Sequence, residues 1–107
     1  MRGKVYYDRK LAGIIERGEG EYRFTYDERY LSDTSAFPIS LNLPLQSAAY
    51  VHRTLFPFFD GLIPEGWLLD LALKNWKLNP SDRYMLLLTV CNDCIGAVRV
   101  IAEERDE

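Results

Sequence analysis

The side chains whose types and spacing suit chemistry are two cysteines, one histidine and three acids around a Pro-Glu-Gly step. Cys91, Asn92, Asp93 and Cys94 form a CxxC, the spacing at which two thiols exchange a disulfide or fill half of a zinc site. A structural zinc takes four ligands. The sequence offers two cysteines and the distant His52, which does not make a site within one chain. A redox pair wants its attacking thiol at a helix N-terminus, whereas this pair follows a predicted helix and stands beside Asp93. The dipole and the carboxylate both disfavour a thiolate there. The pair therefore reads as two reduced, partly buried cysteines in a turn, as a reducing cytoplasm would keep them. A thiol-dependent enzyme using Cys91 and Cys94 is the last of the readings. His52 has no second ligand at helical or hairpin spacing, so it supports neither a metal site nor a triad and reads as a surface or strand-end histidine. Asp60, Glu65 and Asp70 look like paired acids, yet Glu65 has a helix-dipole reason to stand where it does and Asp70 faces solvent on a helical wheel. The GEG at residues 18–20 lacks the lysine and the helix of a phosphate loop. The reading is a non-enzyme with no catalytic residue, no metal and no cofactor.

What remains is an apolar side chain on a polar face. In FFDGLIPEGWLLDLA, Phe58 to Ala72, Pro64 suits the first helical position and a helix is predicted from about Pro64 to Trp76. Leu68, Leu69, Ala72, Leu73 and Trp76 gather into one stripe on that helix, while Trp67 and Leu71 lie nearly opposite its centre, beside Asp70, Lys74 and Asn75. A tryptophan next to a leucine within a polar rim has the composition of an interface hot spot. The competing reading has Trp67 folding back over the Phe-rich loop from Arg53 to Gly61 as a staple. The candidate partner-binding residues are Trp67, Leu71, Glu65, Gly66 and Asp60.

The elements that must position these residues begin with strands. Val5 to Tyr7 and Leu11 to Ile15 are spaced as a hairpin around Asp8, Arg9 and Lys10, and Tyr22, Phe24 and Tyr26 alternate with polar residues as a third strand. Residues 27–35 read as a loop or one helical turn. Ile39, Leu41 and Leu43 alternate between Pro38 and Pro44, which predicts a short edge strand, and residues 46–59 are ambiguous. A second helix is predicted after an Asn79 cap with Pro80 at its first position, running to about Val90. A last strand is predicted from Ile95 to Ala102. Strands first, helices next and a strand last give an α+β class: a small, mostly antiparallel sheet with two helices packed on one side. The expected organisation is a single domain over residues 1–102 and an acidic, frayed tail over 103–107.

Composition sets the outer bounds. The 107 residues include 48% hydrophobic and 27% charged side chains, enough for one core without staples and too apolar for wholesale disorder. The net charge of -3 and the scattered Lys and Arg leave no footprint for phosphates, so no direct nucleic-acid binding is expected. The longest apolar run, Tyr84 to Cys91, is too short to span a bilayer, and MRGKVYYDRK is not a secretory leader. A soluble, cytoplasmic protein without a membrane partner is expected.

Four segments in order carry a resemblance: Phe24 and Tyr26 with Asp27; FPISLNLPL, Phe37 to Leu45; FFDGLIPEG, Phe58 to Gly66; and DCIGAVRV, Asp93 to Val100. Over nearly the whole chain they resemble the N-terminal subdomain of HipA-type serine/threonine kinases of bacterial toxin-antitoxin systems. In that family the subdomain precedes the kinase core and packs on its N-lobe. The sequence holds neither a catalytic loop of the HRD kind nor a DFG. The subdomain alone resembles the HipS-type antitoxins of three-gene HipBST systems. The resemblance implies an antitoxin that binds and inhibits a HipT-like serine/threonine kinase in trans, with a HipB-like DNA-binding protein as the third member of a ternary complex. It also implies a role for Trp67 as anchor in the kinase active-site cleft, since an indole shares the flat, apolar character of adenine. The alternative it implies is a structural N-lobe subdomain that completes a split kinase without inhibiting it.

Overall fold

The structure is a computed structural model that describes residues 2–63, 66, 82–91 and 97–103. Strands β1 (Arg2–Tyr7), β2 (Lys10–Gly18) and β3 (Glu21–Tyr26) follow one another as the antiparallel meander that the alternating residues predict. The β1–β2 turn has no glycine, and Asp8 takes the left-handed φ of 56°, which aspartate tolerates better than most residues. Its N–H donates to the Ala97 carbonyl at 2.7 Å, fastening the turn to the start of the last strand. Strand β4 (Tyr50–His52) joins the free edge of β3, and β5 (Val98–Ala102) joins that of β1. The sheet order is β4-β3-β2-β1-β5, antiparallel throughout.

The described helices are α1 (Glu28–Ser32), α2 (Pro57–Asp60) and α3 (Arg83–Val90). They pack on the face that carries Val5, Ile15, Phe24 and Val100, all fully buried, so the α+β class holds. Pairing explains that face: Val5 stands opposite both Gly13 and Val100, and Ile15 opposite Phe24. Buried Leu86, Leu87 and Leu88 of α3 complete the core, and the Tyr84 hydroxyl donates to the Ile15 carbonyl at 3.2 Å. Two glycines set the closest approaches. A Cβ on Gly3 would sit 2.6 Å from Leu88 Cδ2, and one on Gly13 would sit 2.4 Å from the Thr25 carbonyl oxygen. Gly13 adjoins a β-bulge: Val5 faces Gly13 and Tyr6 faces Leu11, which leaves Ala12 as the extra residue. The Ala12 carbonyl accepts from the Asp27 N–H at 2.8 Å instead. The opposite face carries Arg2, Lys4, Tyr6, Glu16 and Arg99, with the Arg99 guanidinium 5.3 Å from the Tyr6 ring centre.

Three expectations need correction. Ile39 to Leu43 is not a strand, and the fourth strand instead lies at Tyr50–His52, inside the stretch the sequence leaves ambiguous. The cause is Tyr26, whose hydroxyl accepts the Ile39 N–H at 3.0 Å and donates to the Leu43 carbonyl. A side chain thus takes the backbone groups that a ladder would use. The helix ending at Val90 starts at Arg83, because Asp82 is itself the cap: its backbone is extended and its carboxylate accepts from the Met85 N–H at 3.2 Å. Asn79 and Pro80 lie outside the described residues. Cys91 is fully rather than partly buried and closes α3. The last strand begins at Val98, while the helix predicted from Pro64 to Trp76 lies, apart from Gly66, outside the described residues, as do Ile95 and Cys94.

Candidate partner-binding site

Of the expected contact residues, Asp60 closes α2, a single turn that starts on Pro57, where a missing N–H costs nothing. The turn is set from beneath by Phe59, whose ring is fully buried 5.5 Å from Phe24, 6.0 Å from Phe56 and 5.2 Å from Phe58. With Phe59 held inward, Asp60 emerges at the surface and accepts a hydrogen bond from Arg83 Nε at 2.7 Å. Their side chains are 44% and 43% exposed, so the pair contributes at most about 1 kcal/mol. Its use is positional: it ties α2 to the first residue of α3. The chain then continues through Gly61 and Leu62, whose N–H groups donate back to Pro57 and Phe59 at 2.9 and 3.0 Å, to buried Ile63. Gly66 is exposed, and a Cβ there would meet nothing within 4 Å. Glu65, Trp67 and Leu71 lie outside the described residues.

Helix α2 lies between two shallow clefts, both lined mainly by apolar surface. On one side Tyr22, Arg53, Thr54, Leu55, Asp60 and Arg83 border a hollow of about 480 Å³. On the other, Leu43, Tyr50, Val51, Phe56 and Phe58 border an apolar one of about 260 Å³. His52 stands at the end of β4, exposed, with its Nδ1 3.1 Å from the Thr54 carbonyl and its ring 5.6 Å from Phe56. This is the strand-end histidine expected. Among the described residues no three His, Cys, Asp or Glu side chains are grouped to hold a metal ion. The Cys91 thiol is buried and donates to the Leu62 carbonyl at 3.3 Å, a position that serves packing.

The apolar cleft opens onto a feature that the pattern of strands and helices did not reveal. The segment from Phe37 to Leu45 is a loop held by phenols: Tyr26 grips Ile39 and Leu43, Tyr30 donates to the Phe37 carbonyl at 2.6 Å, and Tyr50 donates to the Pro44 carbonyl at 2.5 Å. The Tyr26 and Tyr30 rings stack at 6.0 Å and 4°. Burial pushes the Tyr26 phenol up to about 12, so it stays a protonated donor. At the loop's start, Lys10 Nζ lies 2.6 Å from the Asp33 carboxylate, and that bond holds the Asp33 carboxyl well below the usual range. Ile39 and Leu43 point inward, whereas Leu41 is 95% exposed, Phe37 61% and Leu45 37%, with Val51 of neighbouring β4 at 52%. The sequence did contain a signal for this surface. Residues 34–52 have no Asp, Glu, Lys or Arg in a chain with 16 acidic and 13 basic side chains. Depletion of charge is what marks the centre of an interface. What the arrangement offers is recognition by shape and apolar contact.

Comparison with known proteins agrees with this domain. The chain is 29% identical over 103 residues to an uncharacterized protein of Haemophilus influenzae, covering 96% of this chain and 93% of that one. It is 27% identical to the Sinorhizobium fredii protein "Putative kinase Y4mE", covering 95% of this chain and 24% of the relative. This chain thus spans about a quarter of that relative's length. Among solved structures, the "N-terminal domain of HipA toxin" superposes with a TM-score of 0.71 at 28% identity, over 98% of this chain and 94% of that one. The profile of the HipA N-terminal domain matches residues 3–101, and the chain belongs to that family.

Proposed function

We propose that this chain acts as a HipS-type antitoxin, binding a HipT-like serine/threonine kinase in trans and inhibiting it in the cytoplasm. The observation that carries the reading is the match over nearly all of the chain to the N-terminal domain of a toxin, a domain without the groups that transfer phosphate. The contact runs from Asp60 at the end of α2 through Glu65 and Gly66 to Trp67 and Leu71, with the indole seated in the active-site cleft of the kinase. A flat, apolar ring filling a desolvated pocket is the usual form of a hot spot. A HipB-like DNA-binding protein completes a ternary complex in this reading, and the chain itself touches neither DNA nor membrane. No helix among the described residues is long and apolar enough to cross a bilayer.

The test is the activity of the HipA-family kinase of the same genome, titrated with the purified chain and with Trp67→Ala after both are shown to be folded. Inhibition by the native chain and a loss of about 2 kcal/mol or more of binding in the variant are expected. A sharp drop in the melting temperature of Trp67→Ala would instead place the indole in the core. A second reading is favoured by the match to a quarter of Y4mE, where the domain is part of a longer chain: a structural subdomain that completes the N-lobe. In that case binding leaves kinase activity unchanged or raises it.

A further inference from the structure

Residues 34–52 form the longest stretch of the chain without a charged side chain. It lies on the surface, where charge is normally cheapest to place. Leu41 at its tip is 95% exposed and Phe37 61%, yet the backbone beneath them is held by the hydroxyls of Tyr26, Tyr30 and Tyr50. Apolar side chains displayed on a loop that is already ordered lose little conformational freedom on binding. We propose that the Phe37–Leu45 loop is a docking surface for the body of a HipA-family kinase, inserting Leu41 into an uncharged, apolar depression of that partner. The proposal rests on the reading of this chain as a kinase-binding domain and separates two roles within it: the loop supplies docking, and the segment with Trp67 supplies inhibition.

The choice of occupant follows from three observations. Charge would be desolvated against this surface without a partner, so the facing wall must be neutral. Two relatives named as kinases match this chain over 24% and 26% of their own length. In both, this domain shares a chain with three quarters or so of further sequence, and a neutral, pinned, apolar loop suits a contact with it. Finally, the loop borders α2, the element that carries Asp60, because Asn42 and Leu43 line the same cleft as Pro57 and Phe58.

The experiment is calorimetric titration of the full-length HipA-family kinase of the same genome with the native chain, Leu41→Asp, and Glu19→Lys as a charge change on the distant β2–β3 turn. Because Leu41 touches so little, Leu41→Asp keeps the native melting temperature. Its Kd weakens by about 30-fold or more, while saturating amounts still inhibit and Glu19→Lys binds as the native chain does. Tight binding by the native chain with an unchanged Kd for Leu41→Asp overturns the docking role and leaves the kinase reading standing. No binding by the native chain overturns both. Sedimentation showing a native dimer that Leu41→Asp dissolves would make a second copy the occupant and likewise overturn the proposal.

Discussion

Tyr26→Phe isolates the bonds that shape the exposed loop. The substitution removes one oxygen and keeps the ring, which stays packed 4.9 Å from Phe24 and 6.0 Å from Tyr30. Two backbone groups lose their partner, the Ile39 N–H and the Leu43 carbonyl, both belonging to buried residues. A hydrogen bond contributes about 1 kcal/mol net, and a buried group left unpaired costs on the order of 1–3 kcal/mol. Since loop backbone can shift to admit water, a loss of about 2–3 kcal/mol is expected. For a domain of this size that lowers the melting temperature by roughly 10 °C or more. Tyr30→Phe is the internal comparison, because its hydroxyl serves the Phe37 carbonyl alone in the described contacts and should cost about 1 kcal/mol. Thermal melts by circular dichroism give the magnitude, and amide exchange at Ile39 reports the site. A Tyr26→Phe protein within about 0.5 kcal/mol of native, with Ile39 as protected as before, would refute the view that phenol hydroxyls hold this loop.

Gly13→Ala places a Cβ 2.4 Å from the backbone oxygen of Thr25, forcing β2 and β3 apart, with an expected loss of about 3 kcal/mol in urea unfolding. Gly18→Ala, whose Cβ would meet only Glu21 Cγ at 4.0 Å, is the control, and equal losses at the two sites would refute the steric account. The pH prediction also concerns Tyr26, raised by burial to about 12 against about 10 for an unfolded tyrosine. The folded state holds this proton more tightly, so its contribution is complete below about pH 10 and disappears as pH rises toward about 12. Unfolding free energies measured across that window should fall less steeply for Tyr26→Phe than for the native chain, and parallel curves would count against the assignment.

Much of the fold was legible in local residue patterns. Tyr22, Phe24 and Tyr26 alternate because one face of β3 is buried and the other is wet, and that period is visible without knowing what covers the face. The fully buried Leu86 and Leu87 announced a core helix in the same way. The start of α3 was hard to place from the sequence because two cap signals stand three residues apart. Asn79 and Asp82 both offer a side-chain acceptor, and only the extended backbone at Asp82 shows which one starts α3. Of the candidate contact residues, Asp60 is joined to Arg83, a pairing over 23 residues that no local window contains.

The loop from Phe37 to Leu45 shows where local information ended. Ile39, Leu41 and Leu43 alternate as a strand does, and by themselves they specify that spacing and an absence of charge. Whether such a segment pairs as a strand depends on what satisfies its N–H and C=O groups, since each buried one needs a partner. Here the partner is the hydroxyl of Tyr26, 13 residues before Ile39, brought to it by stacking on Tyr30 and by the sheet beneath. Residue types decided that the chain would form an antiparallel sheet with helices on one face. Only the tertiary structure decided that Leu41 would face water, because exposure depends on which distant side chain reaches the backbone first.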